Sequence, residues 1–171
     1  MSRILLADES PHAQRMGESI LRDEGFEVVT VTDGETAIRR LADVDPDLVL
    51  ADAALPKRSG YELCQYIKTH PRHSLTRVIL TAGAAAMFDD ERARRVGSDA
   101  SLRKPFEASA VLDTVRPLIE LAVAERATRA PEVDSTIDRD RIRAAVTLAL
   151  DAAMPAIITE LTERVTAALK E

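Results

Sequence analysis

An α/β doubly wound fold, a parallel sheet of five strands with helices on both faces, is predicted by three observations. Short, near-continuous apolar runs recur along the chain, among them Ile4-Leu5-Leu6-Ala7, Leu48-Val49-Leu50-Ala51 and Val78-Ile79-Leu80. Runs of that kind suit parallel strands covered on both faces. Helical stretches alternate with them in regular rhythm, as βα units require. Each run also ends on a polar group: Asp8-Glu9, Asp52, Thr81 and, after a weaker run through Leu102, Lys104. In open α/β sheets the working site lies beyond the carboxyl ends of the strands, so these groups are expected at one edge.

The elements come in order. After the first run, Pro11 opens a helix to about Glu24, and Gly25 stops it. Glu27 to Val31 reads as the second strand. Asp33-Gly34 turns the chain into a short helix that ends before Pro46. The third strand ends at Asp52, and a loop holding Pro56 and Gly60 leads into a helix from about Tyr61 to Thr69, which Pro71 prevents from continuing. The fourth strand ends at Thr81. Small residues from Ala82 to Ala86 lead to a short charged helix from about Asp89 to Val96, closed by Gly97. A weak fifth strand, Ala100 to Arg103, precedes Lys104-Pro105-Phe106. The fifth helix starts near Glu107 and runs to about Thr128, with a kink expected at Pro117.

Residues 1–128 are thus expected to form one domain. Residues 129–136, with Ala130-Pro131 and a polar stretch to Ser135, read as a linker. Residues 137–171 read as a tail of two helices, Asp138 to Ala153 and Ala156 to Leu169, separated by Met154-Pro155. Ile158, Leu161, Val165, Ala168 and Leu169 form an apolar stripe on the second. About 35 residues cannot build a core of their own, so the stripes need a partner, expected to be another copy or another protein.

The chain has 171 residues, 46% of them hydrophobic and 30% charged, with a formal net charge of −6. No overall basic field exists to attract nucleic acid or anionic lipid. From Pro131 onward eight acidic residues face five basic ones, which argues against DNA binding by the tail. Signal-peptide layout and membrane-length apolar stretches are not found, so a cytoplasmic location is expected. The single Cys64 excludes an internal disulfide and falls in an apolar pattern, as a buried core thiol would. His12, His70 and His73 lack ligand spacing and read as solvated or structural; Arg92, Arg94 and Arg95 read as a solvated or partner-facing patch.

The strand-end groups carry chemistry as a set. The Asp52 carboxylate can attack a phosphoryl group and form an acyl phosphate. Such transfer needs in-line positioning and charge neutralisation more than covalent help. Asp8, Glu9 and Asp52 crowded together would repel one another and suit a hard divalent cation such as Mg²⁺, which takes one or two carboxylates, waters and a phosphate oxygen. Lys104 supplies a second positive charge, Thr81 a hydroxyl donor, and Ala54, Ala82 and Gly83 leave room for a bulky donor.

Asp8-Glu9, then Asp52 with Pro56 and Gly60 after it, then Thr81-Ala82, then Lys104-Pro105-Phe106 resemble the receiver domain of bacterial two-component response regulators, the CheY-like fold. The resemblance spans about residues 1 to 125. It implies strand order 2-1-3-4-5 and a phosphoryl group accepted by Asp52 from a histidine kinase's phosphohistidine, or from a phosphotransfer protein. It also implies Mg²⁺ held by Asp8, Glu9, Asp52 and the main-chain carbonyl of Ala54, with Thr81 and Lys104 on the phosphoryl oxygens. The Lys104–Pro105 bond is often cis in the family. Three positions depart from the pattern: Glu9 stands where Asp is commoner, Ser59 where the loop is often acidic, and Ser101 where a Tyr or Phe usually acts as the switch.

The expected function is that of a response regulator acting through protein–protein contacts of its tail, with at most slow self-dephosphorylation. The rival reading is a scaffold or localisation module that uses the fold without phosphorylation. A phosphatase on a similar sheet is disfavoured, because no residue fits the role of general acid–base and no Gly-rich phosphate loop occurs.

Overall fold

The computed structural model describes residues 1–83 and 87–128. The linker and tail helices expected over 129–171 lie outside the described residues. Five strands, β1 (Arg3–Ala7), β2 (Glu27–Val31), β3 (Leu48–Asp52), β4 (Arg77–Ala82) and β5 (Ala100–Arg103), alternate with five helices. These are α1 (Pro11–Asp23), α2 (Gly34–Val44), α3 (Gly60–Thr69), α4 (Asp90–Arg95) and α5 (Ala108–Thr128). All strand pairs are parallel, in the order β2-β1-β3-β4-β5, as the resemblance implies.

The strands alternate side chains between two cores, as the two-residue period of a pleated strand demands. Leu5, Ala7, Val49, Ala51, Val78 and Leu80 face α2, α3 and α4, where Leu41, Leu63, Cys64 and Ile67 meet them. Ile4, Leu6, Leu48, Leu50 and Ile79 face α1 and α5, against Leu21, Phe106, Val111, Val115 and Ile119. Both faces of the central strands are therefore dry, which explains why those strands read as continuous apolar runs.

Helix starts are set by their caps. The Ser10 hydroxyl accepts from the Ala13 N–H, with Pro11 at the first turn. Asp33 caps α2 through the Thr36 N–H, and Ser59 with Glu62 forms a reciprocal capping box on α3. The α2 helix ends on Asp45 in a left-handed conformation (φ 44°), one residue before Pro46. The α5 helix runs without interruption through Pro117. No helix among the described residues is long and apolar enough to cross a membrane.

An ionic network closes the amino-terminal edge of the sheet. Arg126, in the last turn of α5, donates to the Pro46 carbonyl at 2.8 Å and pairs with Asp47 at 3.1 Å. Asp47 also accepts from the Arg3 N–H at 2.9 Å. Beside it, Asp99 collects Lys68 at 2.6 Å, Arg77 at 3.1 Å and the Val78 N–H at 2.7 Å. The opposite, carboxyl-terminal edge carries the polar groups that end the strands.

Candidate functional site

Asp8 follows β1 and Asp52 ends β3, and β1 and β3 are adjacent strands. Thr81 lies directly opposite Asp52 in the β3–β4 pairing and is buried. Lys104 follows β5, where its N–H donates to the Ala82 carbonyl at 2.8 Å and a cis bond joins it to Pro105. Four groups scattered over the sequence therefore stand at one sheet edge.

Lys104 brings the two carboxylates together. Its Nζ lies 2.6 Å from Asp8 Oδ2 and in direct contact with Asp52 Oδ2. Asp8 is fully buried; Asp52 is partly open to solvent. Burial opposes the Lys104 charge, but the hydrogen bonds and negative charges of Asp52 and Asp8 outweigh it, holding the ammonium above the ordinary lysine pKa.

The backbone fixes both acids. Asp8 Oδ1 accepts from the Ser10 N–H at 2.9 Å, and its carbonyl accepts from Gln14 Nε2, which also donates to the Val31 carbonyl. Asp52 Oδ1 accepts from the Ala54 N–H at 2.8 Å. Asp8 Oδ2 is different: it is buried, and apart from the Lys104 charge it accepts no well-directed hydrogen bond. A buried carboxylate oxygen of this kind, facing a second carboxylate, has the donor chemistry a hard divalent cation uses.

Glu9 does not join this pair. It is exposed, and among the described residues no three carboxylate, imidazole or thiol groups are gathered closely enough to hold a metal. With Lys104 already between Asp8 and Asp52, repulsion in the pocket is reduced, and the longer Glu9 arm rests in solvent.

The connection after Asp52 is tightly set. Gly60 packs on the Asp52 carbonyl, and its N–H donates to the Ala53 carbonyl at 3.2 Å. Lys57 adopts a positive φ of 64° and pairs with Asp33 at 3.2 Å, while the Gly34 N–H reaches the Pro56 carbonyl. Hydrogen bonds from Thr36 and the Lys57 ammonium hold the Asp33 carboxyl at about 2 against its partial desolvation. Tyr61, the residue after Gly60, and Phe88 form an aromatic group with Arg92 and Arg103. The sequence signals for this support are the Asp33-Gly34 turn and the loop with Pro56 and Gly60; the contacts of Gln14, Lys57, Tyr61 and Phe88 depend on packing between elements distant in sequence.

Comparison with known proteins agrees with this architecture. The response regulator receiver domain family matches residues 4–116, and the chain belongs to that family. Protein PilG of Pseudomonas aeruginosa is 32% identical over 114 residues, which cover 67% of this chain and 84% of PilG. The DNA-binding response regulator MtrA of Mycolicibacterium smegmatis is 30% identical over 114 residues, and there the match covers 49% of the relative. Among solved structures, the receiver domain of a sensor histidine kinase from Pseudomonas aeruginosa superimposes with a TM-score of 0.64 at 28% identity. That alignment covers 70% of this chain and 98% of that one, which has a magnesium ion coordinated in its active-site cleft.

Proposed function

We propose that the chain is a cytoplasmic response regulator whose Asp52 accepts a phosphoryl group from the phosphohistidine of a histidine kinase or phosphotransfer protein. The observation that carries this reading is the meeting of Asp8 and Asp52 at one ammonium, Lys104, with Thr81 opposite Asp52 at the same sheet edge.

An Asp52 carboxylate oxygen attacks phosphorus, the phosphorus–nitrogen bond of the donor breaks, and the imidazole nitrogen keeps the electron pair. The product is an acyl phosphate, and no proton need move in that step. The Ala54 N–H holds Asp52 Oδ1 and so fixes the plane of the nucleophile. Lys104 Nζ exchanges its contact with Asp52 Oδ2 for a phosphoryl oxygen, and the Thr81 hydroxyl donates to another. Asp8 and Asp52, with the Ala54 carbonyl and Glu9 swung inward, would hold Mg²⁺. Bound there, Mg²⁺ neutralises charge on the transferring group. Self-dephosphorylation is slow at most: among the described residues, the groups that meet Asp52 are the Lys104 ammonium and, across it, an Asp8 carboxylate already engaged by that ammonium.

Output passes through protein–protein contacts of residues 137–171, as homo-oligomer or with a partner, rather than through DNA; the apolar stripe from Ile158 to Leu169 supports this. Removing residues 130–171 is expected to lower association, read as fewer chains per particle from the solution molar mass, while Mg²⁺ binding persists; a full-length monomer with and without beryllofluoride would count against self-association.

The test of the phosphoacceptor is direct. Acetyl phosphate with Mg²⁺ is expected to give a hydroxylamine-labile adduct by intact mass, absent in Asp52→Ala. Exposure of Ser101, with no ring at that position, favours the rival scaffold; an unmodified wild type would establish it.

A further inference from the structure

Ser101 pairs with Leu80 across β4 and β5 and is exposed, so no aromatic ring projects from that position. Beside it lies an open groove of about 450 Å³, lined by Phe88, Ala93, Arg94, Ser98 and Ser101 among others. The aromatic ring that borders this space is Phe88, which immediately precedes the Asp89 cap of α4. It is half-buried, with its centroid 6.0 Å from that of Tyr61 and the Arg103 guanidinium 5.7 Å away.

Both neighbours of the Phe88 ring are chain neighbours of residues at the candidate site. Tyr61 follows Gly60, which packs on the Asp52 carbonyl. Arg103 precedes Lys104, whose ammonium lies between Asp8 and Asp52. Tyr61 is further tied to α4: its hydroxyl accepts from the Asp89 N–H at 3.0 Å, and the Arg92 guanidinium lies 4.6 Å from its ring. The Phe88 ring is thus one chain position removed from both Gly60 and Lys104, through Tyr61 and Arg103.

We infer that Phe88 is the aromatic group coupled to Asp52 in this chain, with two resting places: the observed one against Tyr61 and Arg103, and the groove beside Ser101. The inference rests on the phosphoacceptor reading and deepens it. A phosphoryl group on Asp52 draws Lys104 toward its oxygens, and Arg103 moves with its neighbour. Aromatic and cation–aromatic contacts of this kind are individually weak, so a small displacement changes which place the ring prefers. Ser101, by being small, leaves the second place open. The movement carries Asp89 and the start of α4 with it, so α4 reports the state of Asp52.

The chain contains three phenylalanines, Phe26, Phe88 and Phe106. Wild-type protein labelled with 3-fluorophenylalanine therefore gives three ¹⁹F resonances, with that of Phe88 assigned by its loss in Phe88→Leu. Beryllofluoride with Mg²⁺ is expected to move the Phe88 resonance by more than its linewidth and leave that of Phe26 in place, and to move neither in Asp52→Ala. Ser101→Leu, which fills the groove without adding a ring, is expected to suppress the Phe88 shift while the bound beryllofluoride signal persists. The chain has no tryptophan, so emission from Phe88→Trp gives a second, independent readout. A bound beryllofluoride signal with an unmoved Phe88 would overturn the inference and leave the phosphoacceptor reading standing. An equal shift in Ser101→Leu would overturn it too, because the change would then be only the nearby charge. Absence of any adduct in wild type would remove both.

Discussion

The α-carbon of Gly60 rests against the main-chain carbonyl of Asp52: a Cβ added at residue 60 would lie 2.3 Å from that oxygen. Real carbon–oxygen contacts do not approach so closely, and the atom in the way is backbone, which cannot rotate aside. Gly60→Ala must therefore push α3 away from the end of β3. The expected cost is ~1–3 kcal/mol, as for overpacking at a closed site, read as a lower urea midpoint. Adduct formation at the proposed phosphoacceptor, Asp52, should slow in the same variant, because the added Cβ presses on that residue's own main chain. An unchanged midpoint would mean the connection has slack that its hydrogen bonds do not suggest.

Among the described residues, Lys104 is the cation that contacts both carboxylates, of which Asp8 is fully buried. Lys104→Met removes that counter-charge from between Asp8 and Asp52. Removing one partner from a largely buried ion pair costs about 3 kcal/mol. Urea unfolding at neutral pH is expected to show that loss, and millimolar Mg²⁺ to restore part of it by binding the folded state alone. Equal stability of variant and wild type without Mg²⁺ would contradict the pairing.

His73 is buried between His70, at 4.9 Å between ring centroids, and a charged surrounding. Desolvation, aided by His70 and Arg72, pushes its pKa below the ordinary 6.5. The folded state thus binds a proton there less readily than the unfolded chain. Its contribution to stability is complete above pH 6.5 and is lost as the pH falls below that value. His73→Gln should flatten the decline in urea midpoint between neutral and mildly acidic pH; an identical decline in both proteins would assign it elsewhere.

Cys64 lies in the core between α3 and the sheet, and burial raises its thiol pKa to about 12. Thiolate is the reactive species, so the native protein should be almost inert to a disulfide reagent at neutral pH. Full reaction is expected only on unfolding, with a rate that tracks global opening.

The strands are legible because each core strand is dry on both faces, which writes a continuous apolar run into residues such as Leu48 to Ala51. The positions of Asp8, Asp52, Thr81 and Lys104 come with them, since a parallel sheet places what ends its strands at one edge. Side-chain partnerships are not legible. That Lys104 spans Asp8 and Asp52, or that Glu9 stays in solvent, depends on register and on competition between charges, which no local pattern encodes. Tyr61, Phe88 and Arg103 come from three separate segments, and each alone looks like an ordinary core or surface residue. Pro117 stands inside α5 and does not end it: Val115 and Ile119 on either side are buried and hold the helix against the sheet.

Arg126 fastens the final turn of α5 to Pro46 and Asp47, at the floor of the sheet rather than its rim. The carboxyl end of α5 accordingly stands about one strand length from Asp52, roughly 17 Å for five residues. Chemistry at the pocket has no direct touch on that helix end. News of it has to travel through the body of the fold, and the rigidity of those packed strands becomes part of the message.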